Sequence, residues 1–282
     1  MIYEIKNEQL NVKVSDDGAE VVSLKKAGRE LNWQNDNGKW AGHAPILFPV
    51  CGNCEIVVDG KHYPVKPHGF ARKFRFALVC QNETSVTFAL ISGDATKEFY
   101  PYDFILEVTY ELDGNRLNVI YSVTNNSVCD MFFSCGGHES FNLDDDLGNY
   151  VVKFAGKETL TQYIHDDDGK LTGETIKIAD CREFPLDSSF LSDDRTVILG
   201  GIKSGKADLC KKSGEKVFGV EFGGFENLLF WRPGDAKMIC IEPWHTLPDT
   251  VGKAAPEMKD RDGIIKLARG NAIKITRTII YY

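Results

Sequence analysis

Three short segments combine ionisable side chains with glycine, proline and aromatic residues, a composition that suits exposed turns better than a packed core. They are His68-Gly69-Phe70-Ala71-Arg72, Gly136-Gly137-His138-Glu139-Ser140-Phe141-Asn142 and Glu242-Pro243-Trp244-His245-Thr246-Leu247-Pro248-Asp249. Two histidines and one carboxylate from these segments would suffice for concerted general acid and general base catalysis. Because the segments lie far apart in the sequence, the fold must return the chain repeatedly to one place to join them.

Glu242 follows an apolar run, residues 238–241, which we predict to be a buried strand. A carboxylate at the end of such a strand is partly desolvated, which raises its pKa toward the range useful for a general base. The alternative is a structural glutamate paired with an arginine or a backbone N–H. Trp244 could offer an apolar face on which a sugar ring or another flat ligand stacks.

His138 lies between two glycines and the Phe141-Asn142 pair, where the backbone can turn sharply or approach a ligand closely. Histidine is the side chain best suited to donate and recover a proton near neutral pH, although a structural histidine bonded to a carbonyl is the alternative. His68 sits on a second bend, between Pro67 and a glycine. Arg72 could hold a ligand hydroxyl or carboxylate, or an internal acid.

The segment Cys51-Gly52-Asn53-Cys54 resembles a dithiol redox motif, but residues 55–63 predict a hairpin rather than the helix that would activate the first thiol. Zinc is the other option, with His62 and His68 as further ligands. The gaps do not match known zinc sites and no second cysteine pair follows. We therefore predict no metal here.

The acidic clusters at residues 144–146 and 166–169 lack the alternating oxygen ligands and distal glutamate of a calcium loop, and are interpreted as solvated turns. Phosphate-binding loops, nucleophile elbows and dinucleotide fingerprints are also missing from the sequence. The sequence therefore predicts a reaction without a cofactor.

The composition is that of an ordinary globular protein: 282 residues, 43% of them hydrophobic and 26% charged. The net charge of −8 argues against nucleic acid or an anionic membrane as a partner, because both require a basic face. The N-terminus shows no signal-peptide pattern, and no apolar run is long enough to span a membrane. We expect a cytoplasmic protein whose eight cysteines are reduced and buried.

Apolar and polar residues alternate with period two along much of the chain, which is typical of half-buried antiparallel strands. Residues 104–112 and 117–123 follow this pattern and are separated by Asp113-Gly114-Asn115, which predicts a hairpin. Helical periodicity with proper caps is absent. Turn signals at short intervals predict a large sandwich or barrel of some two dozen strands, forming one domain over residues 1–282.

Taken in order, the three segments resemble the aldose 1-epimerase (galactose mutarotase) family, in particular its bacterial galactose-mutarotase-related branch. The resemblance covers essentially the whole chain. It includes Gly18-Ala19-Glu20, Glu30-Leu31-Asn32-Trp33 and Pro45-Ile46-Leu47-Phe48-Pro49 in addition to the three segments. It implies an all-β fold with very little helix: a large twisted antiparallel β-sandwich, the galactose mutarotase-like supersandwich, with an open cleft on a concave sheet face.

The resemblance also implies roles for individual residues. The carboxylate that matches Glu242 is the general base in that family, and the histidine that matches His138 is the general acid. The histidine that matches His68 binds the sugar near its ring oxygen, and Arg72 is carried over as a ligand contact.

Asn53 marks one departure from the family pattern, which usually has an arginine just after the Phe-Pro-x-x-Gly segment. Asparagine can hydrogen-bond a sugar hydroxyl, but it lacks the charge and forked reach of a guanidinium group. The change puts affinity and substrate range in doubt, and it weakens the case for a phosphorylated sugar.

The expected function is that of an aldose 1-epimerase, which interconverts the α and β anomers of a free aldohexose by ring opening and closure. The alternatives are a hexose-6-phosphate mutarotase, a non-catalytic carbohydrate-binding protein on the same scaffold, and a lyase or isomerase acting on sugar acids. The expected partner is a small sugar, bound by a monomer or homodimer. Glu242 is expected to be ionised and His138 protonated before catalysis, because opposite charges favour one another.

Overall fold

The computed structural model describes residues 1–36, 38–186, 191 and 196–282. Its first strands are β1 (Ile2–Lys6), β2 (Leu10–Ser15), β3 (Val21–Lys26), β4 (Arg29–Glu30), β5 (Ile46–Leu47), β6 (Ile56–Val58), β7 (Lys61–Tyr63), β8 (Ala77–Gln81), β9 (Ser85–Ile91), β10 (Phe104–Asp113), β11 (Arg116–Asn125) and β12 (Met131–Phe133). They are followed by β13 (Gly136–Gly137), β14 (Glu139–Asn142), β15 (Tyr150–His165), β16 (Leu171–Leu186), β17 (Val197–Gly200), β18 (Lys206–Lys211), β19 (Lys216–Glu221), β20 (Asn227–Trp231), β21 (Met238–Trp244), β22 (Ile265–Leu267) and β23 (Ala272–Tyr281).

Helix is scarce in the described part of the chain, as the sequence predicts. The α-helix α1 (Asp94–Lys97) has four residues, and single 3₁₀ turns occur at Ala71–Lys73, Leu147–Asn149 and Met258–Asp260. None of these helices is long and apolar enough to cross a bilayer.

Fifteen strands form one large sheet. Its order is β5-β13-β21-β20-β17-β15-β18-β19-β23-β11-β10-β9-β8, with β14 also paired to β21 and β16 to β15. A four-stranded sheet, β1-β2-β3-β4, shares its buried face with the large sheet, since Val12 and Leu24 belong to the same core cluster as Val108 and Val119. The fold is therefore the expected antiparallel β-sandwich.

The hairpin predicted around Gly114 is present. β10 and β11 pair from Phe104↔Asn125 to Asp113↔Arg116, so that Gly114 and Asn115 form a two-residue turn. Burial alternates along both strands, as period two requires. The predicted hairpin within residues 55–63 is also present, as β6 and β7.

Two local expectations are corrected. Glu242 does not end its strand: β21 continues through Pro243 to Trp244, because both residues pair with β20. Cys80 and Cys129 are exposed rather than buried, whereas the other six cysteines are buried and all eight are free.

Candidate active site

The pairing of β21 with β13 and β14 brings two of the three segments together. Gly136 pairs with Trp244 and Glu139 with Ile241, and this common register leaves His138 opposite Glu242. The Nε2 atom of His138 lies 3.5 Å from Oε1 of Glu242. Both residues are buried, with Glu242 only 1% and His138 only 7% exposed.

The third segment reaches the same place through β5. Gly136 pairs with Leu47, and Gly137 pairs with Ile46. Phe48, which follows Leu47 in the chain, forms a parallel bridge to Gly69. His68 therefore lies beside the β13 edge, with its backbone in the left-handed region at φ 71°. Its ring centroid is 5.4 Å from that of His138.

His68 is held by the loop that begins at Cys51. The backbone N–H of His68 donates to the carbonyl of Gly52, and the N–H of Gly52 donates to Nδ1 of His68 at 3.2 Å. Because Nδ1 accepts a hydrogen bond, the proton of the neutral ring belongs on Nε2. His68 can therefore present a donor to a ligand.

One cavity of about 320 Å³ is lined by all six residues that the sequence analysis selected, Glu242, His138, His68, Arg72, Trp244 and Asn53. Its other lining residues are Trp40, Gly52, Pro67, His165, Asp168, Gly169, Thr196, Ile198, Trp231 and Pro248. A volume of this size falls at the lower end of the range for small-molecule sites, about 300–1,000 Å³.

Arg72 and Asn53 are both half-buried at the cavity. Arg72 Nη2 donates to the carbonyl of Pro67 at 2.8 Å, while its buried Nε has no hydrogen-bond partner among the described residues. Asn53 Nδ2 donates to the carbonyl of Asp168 at 3.0 Å. Asn53 thus connects the loop at residues 51–54 to the acidic turn at residues 166–169 by a hydrogen bond. Arg72 supplies positive charge to the cavity lining.

Trp244 has a contact that the sequence analysis did not anticipate. Its indole Nε1 donates to Oε2 of Glu242 at 3.2 Å, and its ring packs edge-to-face against His68 at 5.2 Å. The side chain is 4% exposed. Trp244 therefore orients the Glu242 carboxyl group as well as lining the cavity.

Two further tryptophans enclose His138. Trp40 stacks on its imidazole at 5.0 Å between centroids, and Trp231 contacts it edge-to-face at 5.7 Å. Neither residue was predicted to belong to the site, because Trp40 lies in an irregular segment and Trp231 at the end of β20, outside the three segments described above. His165 and Asp168 were not predicted either, and the turn that contains Asp168 was interpreted only as solvated.

A buried ion pair stabilises the backbone next to His138. Arg277 pairs with Glu139 and donates to the Tyr121 hydroxyl, which in turn donates to the carbonyl of Gly136 at 2.7 Å. Arg277, Glu139 and Tyr121 are all buried. The sequence feature that indicates this ion pair is Arg277 itself, a charged residue within the apolar C-terminal half of β23.

Burial controls the protonation of the central pair. Desolvation raises the pKa of Glu242 well above its ordinary value, although the Trp244 hydrogen bond and the charge of Arg72 oppose the shift. Desolvation, assisted by Arg72, lowers the pKa of His138 to about 3. Burial therefore disfavours the charged form of each group, which opposes the mutual stabilisation of the two charges that was expected from the sequence.

Cys51 and Cys54 are buried, free thiols rather than a reactive dithiol pair. Burial raises the pKa of both thiols to about 12, so neither is an activated thiolate. The Cys54 thiol donates to the carbonyls of Cys51 and Leu247, and the Cys51 thiol contacts the Ser134 hydroxyl. Among the described residues, one group has donor atoms close enough to share a metal ion: His138, Cys240 and Glu242.

Comparison with known proteins agrees with this architecture. The model of the family described as aldose 1-epimerase matches residues 1–255. The LacX protein encoded on the chromosome of Lactococcus lactis is 31% identical over 265 residues, covering 88% of each chain. The aldose 1-epimerase of Escherichia coli K12 is 29% identical over 161 residues, which cover 54% of this chain and 44% of that protein.

Solved structures show the same fold over the full length. A galactose mutarotase-like protein from Lactobacillus casei superposes with a TM-score of 0.93 at 27% identity, covering 100% of both chains. A galactose mutarotase related enzyme from Lactobacillus acidophilus gives a TM-score of 0.90 at 27% identity, covering 100% of this chain and 97% of that one. With the family model matching most of its length, the chain belongs to the aldose 1-epimerase family.

Proposed function

We propose that this protein is a mutarotase that interconverts the α and β anomers of free aldohexoses, with Glu242 and His138 as its acid–base pair. The observation that carries the proposal is the 3.5 Å contact between His138 Nε2 and Glu242 Oε1, in a cavity lined by further hydrogen-bonding groups. Family membership supports a sugar epimerase, and the pair supplies the two proton transfers that ring opening requires.

The reaction begins with the proton of the pair on His138 and the carboxylate on Glu242. Glu242 removes the proton from the anomeric hydroxyl while His138 protonates the ring oxygen, and the C1–O5 bond breaks. The open-chain aldehyde then rotates about C1–C2, and the reverse transfers close the ring on its other face. Each group ends in its starting protonation state, so the cycle consumes nothing.

The charged form of the pair is reached from the neutral form by moving one proton from Glu242 to His138 across their contact. This transfer changes neither the net charge nor the number of protons in the cavity. Sugar hydroxyls that replace solvent around the pair provide hydrogen bonds to the carboxylate. The remaining lining residues bind the substrate: His68 near the ring oxygen, and Arg72, Asn53 and Trp244 on the hydroxyls and ring face.

Polarimetry on freshly dissolved α-D-glucose and α-D-galactose tests the proposal. The wild-type protein should speed the approach to anomeric equilibrium, and Glu242→Gln should lower kcat by about 10²–10⁴-fold, or about 3–5 kcal/mol of barrier. Glu174→Gln, at an exposed carboxylate on β16, is the matched control and should keep the wild-type rate.

The binding-protein alternative predicts a different outcome. A wild-type rate equal to that of buffer, together with measurable sugar binding that survives Glu242→Gln, would replace the enzyme proposal with a carbohydrate-binding role. A wild-type rate that Glu242→Gln leaves intact would instead remove Glu242 from the mechanism.

A further inference from the structure

A buried thiol lies next to the acid–base pair and has no part in the proposed reaction. Side chains two residues apart on a strand share one face, so Cys240 and Glu242 lie on the same face of β21. A ring nitrogen of His138, the Cys240 sulfur and a Glu242 carboxylate oxygen all lie within 4.8 Å of one another. In the described part of the chain, no hydrogen bond engages the Cys240 thiol.

We propose that His138, Cys240 and Glu242 form a site for a thiophilic divalent cation, with Zn²⁺ as its best ligand, and that metal binding reversibly blocks the cavity. Neither the family relationship nor the proposed function assigns this site.

The donor set is one that Zn²⁺ favours. Nitrogen, sulfur and carboxylate oxygen are its three common protein ligands, at about 2.0–2.3 Å from the metal. Tetrahedral bonds of that length place the donor atoms about 3.4–3.6 Å apart. His138 Nε2 and Glu242 Oε1 already have this separation, at 3.5 Å. The sulfur lies within 4.8 Å of its two partner atoms and needs to approach them by about 1.4 Å at most to complete the set.

The arrangement leaves the fourth metal position open. His138 and Glu242 line the cavity, whereas Cys240 belongs to the apolar cluster behind them that Trp40 and Trp231 cover. A metal held by the three side chains would therefore face the cavity on one side, where water or a sugar hydroxyl completes the coordination. Soft thiolate ligation favours Zn²⁺ over Mg²⁺ or Ca²⁺, which prefer oxygen donors.

Inhibition follows from the identity of the ligands, and this consequence rests on the proposed function. A bound Zn²⁺ occupies the lone pairs of both groups that transfer protons, so a metal-loaded protein cannot catalyse ring opening. Chelation should restore the full rate, because no covalent bond of the protein is altered.

Metal binding is tested on tag-free protein, independently of sugar turnover. Zn²⁺ affinity is measured by competition with a chromophoric chelator, and Co²⁺ is used as a spectroscopic probe, since thiolate ligation produces a sulfur-to-cobalt charge-transfer band. We expect one metal per chain and a band that Cys240→Ala abolishes. The loss of affinity should exceed the about 10–100-fold that follows removal of an outer-shell partner.

The exposed thiols provide the matched control. Cys80 and Cys129 are the alternative soft ligands on the surface, so a Cys80→Ser/Cys129→Ser protein should keep both the band and the affinity. Cys240→Ser is the second variant at the site, and urea unfolding verifies that each variant folds.

Three outcomes are decisive. The absence of a charge-transfer band in wild type, or a band that persists in both folded Cys240 variants, overturns the metal site. Metal binding without any mutarotase activity keeps the site and rejects the proposed function. Mutarotase activity that saturating Zn²⁺ leaves unchanged rejects the inhibition.

Discussion

Desolvation favours the neutral forms of Glu242 and His138, and in those forms the carboxyl group holds the proton that the pair exchanges. Moving this proton across the 3.5 Å contact yields the carboxylate and imidazolium of the proposed mechanism. The pH dependence of kcat/KM therefore reports macroscopic pKa values that belong to the pair rather than to either residue. We expect the singly protonated pair to be the active form.

Arg72→Gln should move both limbs of the pH profile of kcat/KM to higher pH. The positive charge of Arg72 disfavours imidazolium on His138 and favours carboxylate on Glu242, so it lowers both pKa values. Without that charge, the pair takes up a second proton at higher pH and gives up its shared proton at higher pH. Initial rates from pH 5 to 10 measure the alkaline limb directly.

Arg72→Lys is the control for this experiment, because it keeps the charge but not the forked hydrogen-bonding geometry. It should raise KM while leaving the limbs close to their wild-type positions. An alkaline limb that stays in place in Arg72→Gln would contradict the electrostatic role.

Glu242→Gln should stabilise the folded protein increasingly as pH rises. The unfolded chain ionises Glu242 at about pH 4.3, whereas the folded protein keeps the proton to higher pH because burial raises the pKa of Glu242. The folded state therefore binds more protons, and wild-type stability is lost between the unfolded and folded pKa values. Glutamine cannot ionise, so the variant does not lose this stability. The loss in the wild-type free energy of unfolding grows by at most about 1.4 kcal/mol per pH unit.

Urea unfolding at pH 5.5 and pH 8 measures this gain. The difference in unfolding free energy between Glu242→Gln and wild type should be larger at pH 8, while Glu174→Gln should show no such trend. An equal difference at both pH values would mean that Glu242 is ionised in the folded protein.

At the scale of elements, the contiguous pairs β5–β13 and β13–β21 assemble the site. The Phe48–Gly69 bridge then places His68 against this edge. Gly69 has φ 76°, and a Cβ there would overlap the Phe48 carbonyl oxygen. Only glycine combines this backbone conformation with such close approach.

Gly69→Ala should therefore destabilise the protein by about 2–4 kcal/mol and displace His68. Gly28→Ala is the matched control: its φ of 78° is nearly the same, but nothing lies within 4 Å of the added Cβ. That control should lose only about 1 kcal/mol, the cost of the backbone conformation alone. Equal losses in urea unfolding would show that the Phe48 contact is unimportant.

The period-two pattern predicted which side chains of β10 and β11 face the core, because burial on one sheet face is a local property of the sequence. It could not predict that β21 lies between β13 and β20, since strand partners are chosen by long-range packing. The candidate residues were found because glycine and proline flank them. How strongly burial opposes their charged forms could not be predicted, because the degree of burial depends on Trp40 and Trp231, which come from elsewhere in the chain.

At the scale of the whole molecule, charge should select against anionic sugars. The net charge is −8, and Arg72 is the one lysine or arginine among the described residues that line the cavity, which also include the acidic residues Asp168 and Glu242. Glucose 6-phosphate should therefore show a kcat/KM at least about tenfold below that of glucose.

Anomeric exchange followed by NMR compares glucose and glucose 6-phosphate under identical conditions. Added salt should reduce the difference between their kcat/KM values, because it screens the repulsion between the phosphate group and the acidic protein. A higher kcat/KM for the phosphorylated sugar would favour the hexose-6-phosphate alternative.

The placement of tryptophan has a practical consequence. Trp40, Trp231 and Trp244 line the cavity, and the fourth, Trp33, donates its indole N–H to the carbonyl of Trp40. The tryptophan emission of this protein thus comes from a single neighbourhood of a large sandwich. Fluorescence, usually a measure of global unfolding, is here a label-free optical probe of ligand occupancy at the cavity.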